Sequence, residues 1–318
     1  MTRSVLVTGA AGYLGSLLVA DLAADPGGLE TIVGADIREP GRPIDGVTSV
    51  ISDVRDPGLV DVLRDHDVDV VVHLAAIVSP GKKPDRELEY SIDVEGTRNV
   101  LESSLAAGVS KVIVSSSGAA YGYYPDNPDW IDEEDALRGN PEFAYSDHKR
   151  LVEEMLADWR TEHSELQQLI FRPGTILGSS TRNQITDMFD RRVVLGIRGS
   201  ATPFVFIWDR DVVACLRRGV ETDATGVYNL AGDGAIPLQT IAAVMSKRYV
   251  ALPAGVVRTA LRVMKRLGVT QYGPEQVNFL RYRPVLSNRR LKRDFGYAPR
   301  KTSEETFRYF LEGRRGET

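Results

Sequence analysis

The chain has 318 residues, 42% of them apolar and 26% charged, with a formal net charge of -5. That length accommodates two lobes, and the mild acidity gives no reason to expect a nucleic-acid partner. A single cysteine, Cys215, excludes an internal disulfide and a cysteine metal cluster, and the four histidines match no metal-binding spacing, so no metal is expected.

Residues 4–8 read as a buried strand, followed at once by three glycines and a helix over 16–24 that ends in Asp25-Pro-Gly-Gly28. Strands are expected over 31–35, 47–51, 68–74, 112–115 and 166–171, and helices over 57–65, 93–107 and 144–161. Strands apolar on both faces and separated by helices indicate an α/β fold with a doubly wound parallel sheet. After Pro173 the alternation weakens. A short helix over 183–189, strands over 204–207 and 227–230, and helices over 236–244, 256–267 and 302–311 are expected there. Phe204, Phe206 and Trp208 alternate and should share one strand face, packed in a core. No apolar run reaches 18 residues, so no membrane span or membrane partner is expected; with no apolar signal core at the N-terminus, cytoplasmic residence is the default.

Gly9, Gly12 and Gly15 stand between a strand and a helix. The first permits a tight turn, the second lets a pyrophosphate approach the backbone, and the third allows close helix packing. The helix start then offers free N–H groups to phosphate. Asp36 closes the second strand, where a carboxylate accepts bonds from the adenosine ribose and repels a 2′-phosphate; NAD is therefore expected over NADP, with Arg38 as the counter-observation. Asp53 is expected near the adenine amine, with Val54 against the ring. Leu74, Ala75 and Ala76 should leave room for the adenosine and phosphates. Each of these is also an ordinary strand end.

Tyr145 and Lys149 are four residues apart and share one face of a helix. A nearby ammonium is expected to favour the phenolate and bring the phenol toward acid/base chemistry at neutral pH. Ser117, just past the strand ending at Ser115, is the expected substrate-orienting hydroxyl, with Ser116 as the alternative; Tyr121 could line the substrate pocket. His148 and Asp147 should face elsewhere. Residues 258–300 hold eleven basic and two acidic residues. The plain reading is a solvated face, and the sharper one is that part of it meets a diphosphate.

These residues resemble the extended short-chain dehydrogenase/reductase superfamily, in its NAD-dependent epimerase/dehydratase branch. The TGxxGxxG pattern is similar to Thr8 to Gly15, the SSxxxYG segment to Ser116 to Gly122, the arginine-proline pair to Arg172-Pro173, and a late phrase to Gly226-Val-Tyr-Asn-Leu230. The resemblance implies a Rossmann-type domain over residues 1–174 and a smaller, mainly substrate-binding lobe over 175–318, with roughly 204–232 returning to the first. It implies NAD as cofactor, held also by Tyr13, Leu14, Ser115, Lys149, Tyr145 and Pro173. Ser117, Tyr145 and Lys149 become catalytic, with the tyrosine as general acid or base.

The implied activity is that of an epimerase-type oxidoreductase acting on a hydroxyl or keto carbon of a nucleotide-linked sugar. The alternative is a simple alcohol or ketone dehydrogenase on a non-nucleotide substrate. A homodimer through the helices at 93–107 and 144–161 is also implied. Departures from the pattern are Asp93 for an asparagine, Thr175 for an asparagine near the diphosphate, and Gly118-Ala119 where dehydratases carry an acidic pair. The last disfavours dehydration, because no side chain there can protonate a leaving hydroxyl.

Overall fold

The computed structural model describes residues 3–78, 85–270 and 273–315. The first half alternates β1 (Ser4–Thr8), α1 (Tyr13–Ala24), β2 (Thr31–Asp36), β3 (Thr48–Ile51), α2 (Leu59–Asp65), β4 (Val70–His73), α3 (Arg86–Tyr90), α4 (Gly96–Ala107), β5 (Lys111–Ser115), α5 (Ala144–Glu162) and β6 (Gln167–Pro173). The second half holds β7 (Thr175–Leu177), α6 (Gln184–Asp190), β8 (Val193–Ile197), β9 (Pro203–Phe204), β10 (Phe206–Trp208), α7 (Asp209–Glu221) and β11 (Gly226–Leu230). It closes with β12 (Ile236–Pro237), α8 (Leu238–Val244), β13 (Arg248–Leu252), α9 (Ala254–Arg266), α10 (Gln276–Arg281), α11 (Arg289–Arg293) and α12 (Ser303–Arg315).

Seven strands form one parallel sheet in the order β11-β6-β5-β4-β1-β2-β3. Its two faces explain the unbroken apolar runs. Val5 and Val7 face one core cluster with Leu18 and Leu22 of α1, while Leu6 between them faces another with Leu101 and Leu156. The inner strands thus bury both of their period-2 rows under helices, as the doubly wound arrangement requires, while the edge strand β3 stays largely exposed. The strand order reverses between β1 and β4, which opens a crevice at their C-terminal ends.

A third cluster, built on Phe189, Phe204, Phe206, Phe307 and Phe310, holds the second lobe. The strand expected over 204–207 is broken in two: β9 pairs with β12, and β10 pairs with β7. Phe204 and Phe206 stack in the core with centroids 5.6 Å apart. Trp208 does not join them; it is half-buried against Tyr309. The parallel pair of β8 and β13 was not expected, because short apolar runs between breakers read equally well as helix, strand or loop. The helix expected from residue 93 is preceded by α3 and a π-helical turn over Ser91–Glu95.

Candidate active site

The crevice at the ends of β1, β4 and β5 continues into a cleft of about 560 Å³ between the sheet and the second lobe. Gly9, Gly12 and Gly15 line its sheet end. Gly9 turns the chain with φ of +69°, a region that disfavours any side chain. A Cβ at Gly15 would overlap the Gly9 carbonyl oxygen, so only glycine lets α1 start this close to the loop. No side chain caps the first turn of α1, and Gly12, Tyr13 and Leu14 of that turn border the cleft. This uncapped, side-chain-free cradle fits a pyrophosphate.

Tyr13 is fixed across the cleft rim. Its hydroxyl donates to Asp209 Oδ2 at 2.7 Å and accepts from Thr181 Oγ1 at 2.9 Å. Asp36 Oδ2 accepts from the Ala11 N–H at 3.0 Å, and Arg38 Nε stands 3.6 Å from Asp36 Oδ1. Both border a second hollow behind the glycine loop. Leu74, Ala76, Ser115 and Pro173 line the main cleft.

Asp53, Val54 and Ala75 are not brought to the cleft. Both Asp53 oxygens are taken by Arg55, Oδ1 by Nε at 3.0 Å and Oδ2 by Nη2 at 2.6 Å. That guanidinium holds the Asp53 carboxyl below the usual carboxylate range. Val54 packs into the space left by Gly96 at the start of α4, and Ala75 donates its N–H to Thr8 Oγ1 at 3.3 Å.

Ser117, Tyr145 and Lys149 all line the cleft. Tyr145 and Lys149 are one turn apart on α5, and the Ser117 hydroxyl beside the Tyr145 phenol favours its ionised form. Ser117 Oγ accepts from the Ala119 N–H at 3.1 Å. Lys149 Nζ donates to the Ser115 carbonyl at 2.9 Å and lies 5.8 Å from the Tyr145 ring centre.

The expected lowering of the phenol by Lys149 is not found. Burial pushes Tyr145 up to about 12, opposed by the neighbouring Ser117 hydroxyl. Burial also pulls the Lys149 ammonium below its ordinary range, against the pull of Asp93 and Glu153. The lysine is turned to a backbone carbonyl, so the serine is the group that favours the phenolate.

The flanking serine and tyrosine have another fate. Ser116 Oγ donates to Glu153 Oε1 at 2.5 Å, deep in the core. Arg172 Nη2 meets Glu153 Oε2 at 2.6 Å, and its Nη1 donates to the Tyr121 hydroxyl at 2.8 Å. Tyr121 in turn donates to Asn229 Oδ1 at 2.9 Å. Tyr121 therefore does not line the pocket; its hydroxyl is claimed by a buried network behind the Ser117 loop. Tyr123, two residues on, lines the cleft instead.

His148 is turned away from the cleft, with Nδ1 3.1 Å from Asp93 Oδ2, and Asp93 Oδ1 accepts from the Ile77 N–H at 2.9 Å. Asp147 is not free surface but ion-paired to Arg86 and Arg150 at 3.0 Å each. Gly118 brings no side chain to the cleft, and a Cβ there would stand 2.8 Å from Leu286 Cδ1.

Several cations of the late basic run pair with surface acids: Arg289 with Asp132, Arg290 with Glu134, and Lys292 with Asp233. Arg283 differs. It lines the cleft with its guanidinium 4.2 Å from the Phe204 ring centre and 4.7 Å from that of Phe279. Its Nη2 donates to Thr175, while its buried Nη1 has no partner. The sequence placed it among eleven basic residues without a signal that singled it out, and Phe279 and Tyr123 were missed as well.

The sequence model of the NAD dependent epimerase/dehydratase family matches residues 5–231. The chain belongs to that family. This epimerase/dehydratase family enzyme is 28% identical over 279 residues to a UDP-glucose 4-epimerase of Yersinia pestis, covering 82% of this chain and 80% of that one. It is 24% identical over 318 residues to an uncharacterized protein of Mycobacterium tuberculosis, covering 98% and 84%. Among solved structures it is similar to MoeE5 in complex with UDP-glucuronic acid and NAD, with a TM-score of 0.75, 23% identity and coverage of 99% and 100%. A UDP-glucose 4-epimerase with UDP-glucose from Thermotoga maritima has a TM-score of 0.77, 19% identity and 99% coverage of both chains. These last two likenesses establish the shared fold.

Proposed function

We propose that the chain is an NAD-dependent, epimerase-type oxidoreductase of nucleotide-linked sugars. One observation carries this reading: a single cleft holds Ser117, Tyr145 and Lys149 between a glycine cradle at one end and the free Nη1 of Arg283 at the other. Its relatives support the substrate class, since the named ones act on or bind UDP-sugars.

Gly9, Gly12 and Gly15, with the first turn of α1, would hold the pyrophosphate, and Asp36 the adenosine ribose. When bound, NAD supplies a hydride acceptor and donor and, in its oxidised form, a positive charge. Tyr145 moves the proton: it takes one from the sugar hydroxyl as the carbon is oxidised, and returns it to the oxygen when the hydride comes back. Ser117 holds that oxygen and the phenol together. Lys149, anchored on the Ser115 carbonyl, is placed to bond a ribose hydroxyl. Arg283 takes the diphosphate through its unpartnered donor. Gly118 and Ala119 place no acid beside a leaving hydroxyl, which favours epimerisation over dehydration.

Incubation of the purified protein with UDP-glucose and UDP-N-acetylglucosamine tests the reading. Appearance of an epimer without net NADH is the expected result. Stoichiometric NADH points instead to a simple dehydrogenase, and inertness toward every nucleotide sugar tried refutes the substrate class.

A further inference from the structure

Helix α9 leaves much of its apolar surface uncovered. None of its residues is fully buried. Val256 is 55% exposed, Val263 49%, and Leu267, just past its last turn, 71%. At about 100° per residue, these three fall in one arc, with Arg262 and Arg266 on the flank beside it. The inner face is different: Arg258 donates to Asn278 of α10 at 3.1 Å, and Lys265 pairs with Glu275 at 3.5 Å. Strand β13 leads into α9, and its partner β8 exposes Leu195 at 52%.

Charge follows the same surface. Residues 191–202 and 246–270 together hold nine basic residues and no acidic one, in a chain whose net charge is -5. Arg191, Arg192, Arg198, Arg248, Arg262 and Arg266 are exposed and, among the described residues, their side chains meet no acid or other hydrogen-bond partner.

Exposed aliphatic side chains flanked by unpaired arginines need an occupant with an apolar layer beneath an anionic one. A nucleic acid would engage the arginines through its phosphates and leave the valines and leucines in water. A twofold contact with a second copy would set the same cations against one another. An anionic bilayer surface satisfies both requirements. We infer that α9, its continuation to Val269 and strand β8 form a peripheral docking surface for anionic phospholipid membranes. No helix among the described residues is long and apolar enough to cross a membrane, so the contact is interfacial. Helix α10 packs on α9, and its Phe279 lines the cleft, so docking sets the substrate end of the cleft one helix from the lipid.

Co-sedimentation of the full chain with phosphatidylcholine vesicles and with vesicles enriched in phosphatidylglycerol tests the inference. The protein should pellet with the anionic vesicles alone, and high salt should release it. R262Q/R266Q should bind about 30-fold more weakly, from about 1 kcal/mol per surface cation. V263S/L267S, which keeps every charge, should also lose binding. All four positions are solvent-exposed, so the thermal midpoint should stay unchanged. Failure of the unaltered protein to bind anionic vesicles, equal binding to neutral ones, or insensitivity to both variants overturns the proposal. So does retention on duplex DNA, or self-association abolished by V263S/L267S, in the absence of vesicle binding.

Discussion

Arg283 Nη2 donates to Thr175 Oγ1 at 3.2 Å, joining the segment after α10 to the second residue past the end of β6. The bond aims the guanidinium into the cleft, and the rings of Phe204 and Phe279 hold its plane. A donor left without a partner in such a place gains most from an anionic acceptor, at about 1.5–3 kcal/mol per charge-assisted bond. Arg283→Met should therefore weaken UDP binding and raise KM for a nucleotide sugar about 10- to 100-fold, with NAD affinity unchanged. Calorimetric titration with UDP checks this, and an unaltered affinity would remove Arg283 from the substrate site.

Tyr145→Phe keeps the ring and loses the proton-carrying oxygen. Fold and NAD affinity should persist while kcat falls by about 10²- to 10⁴-fold. Normal turnover by the variant would end the acid/base assignment. Ser117→Ala tests the finer point. The Ser117 hydroxyl opposes the upward push of burial on Tyr145, so its loss should raise the phenol further and shift the alkaline-activated limb of kcat/KM to higher pH.

Asp36 both braces the glycine loop through Ala11 and stands where a ribose would lie. Asp36→Ala should lower the preference for NAD over NADP by about 10- to 100-fold, as one charge-assisted bond and one repulsion are lost together. Parallel titrations with the two cofactors decide it; a constant affinity ratio would refute the role.

His73 sits at the end of β4, with Nδ1 2.8 Å from Thr8 Oγ1 and Nε2 3.0 Å from Thr97 Oγ1. Thr97 donates its own hydroxyl proton to the Asp93 carbonyl at 2.6 Å, so Nε2 must donate to Thr97 and Nδ1 must accept from Thr8. Burial lowers the imidazole to about 3, with a smaller push from Lys149 in the same direction. The folded protein therefore holds His73 neutral where the unfolded chain binds a proton. Its contribution is fully present above the unfolded value near 6.5 and is lost as pH falls from there toward about 3, at about 1.4 kcal/mol per pH unit. Urea unfolding at several pH values should show a shallower acid slope for His73→Gln than for the unaltered protein. Identical slopes would contradict the buried neutral imidazole.

The sequence by itself determined the parallel sheet, the glycine cradle and the shared face of Tyr145 and Lys149. These features are set by short-range geometry: two residues per strand repeat, about 3.6 per helical turn, and a turn that only Gly9 accommodates. Tertiary structure decided what each side chain touches. Ser116 and Ser117 are neighbours, yet one is drawn into the Glu153 and Arg172 network and the other into the cleft. Tyr121 and Tyr123 part in the same way. Burial reversed the direction expected for the Tyr145 phenol, because desolvation outweighs any charge placed four residues along the chain. Arg283 became a site residue through a bond to a threonine 108 residues away, a separation over which no local periodicity carries information.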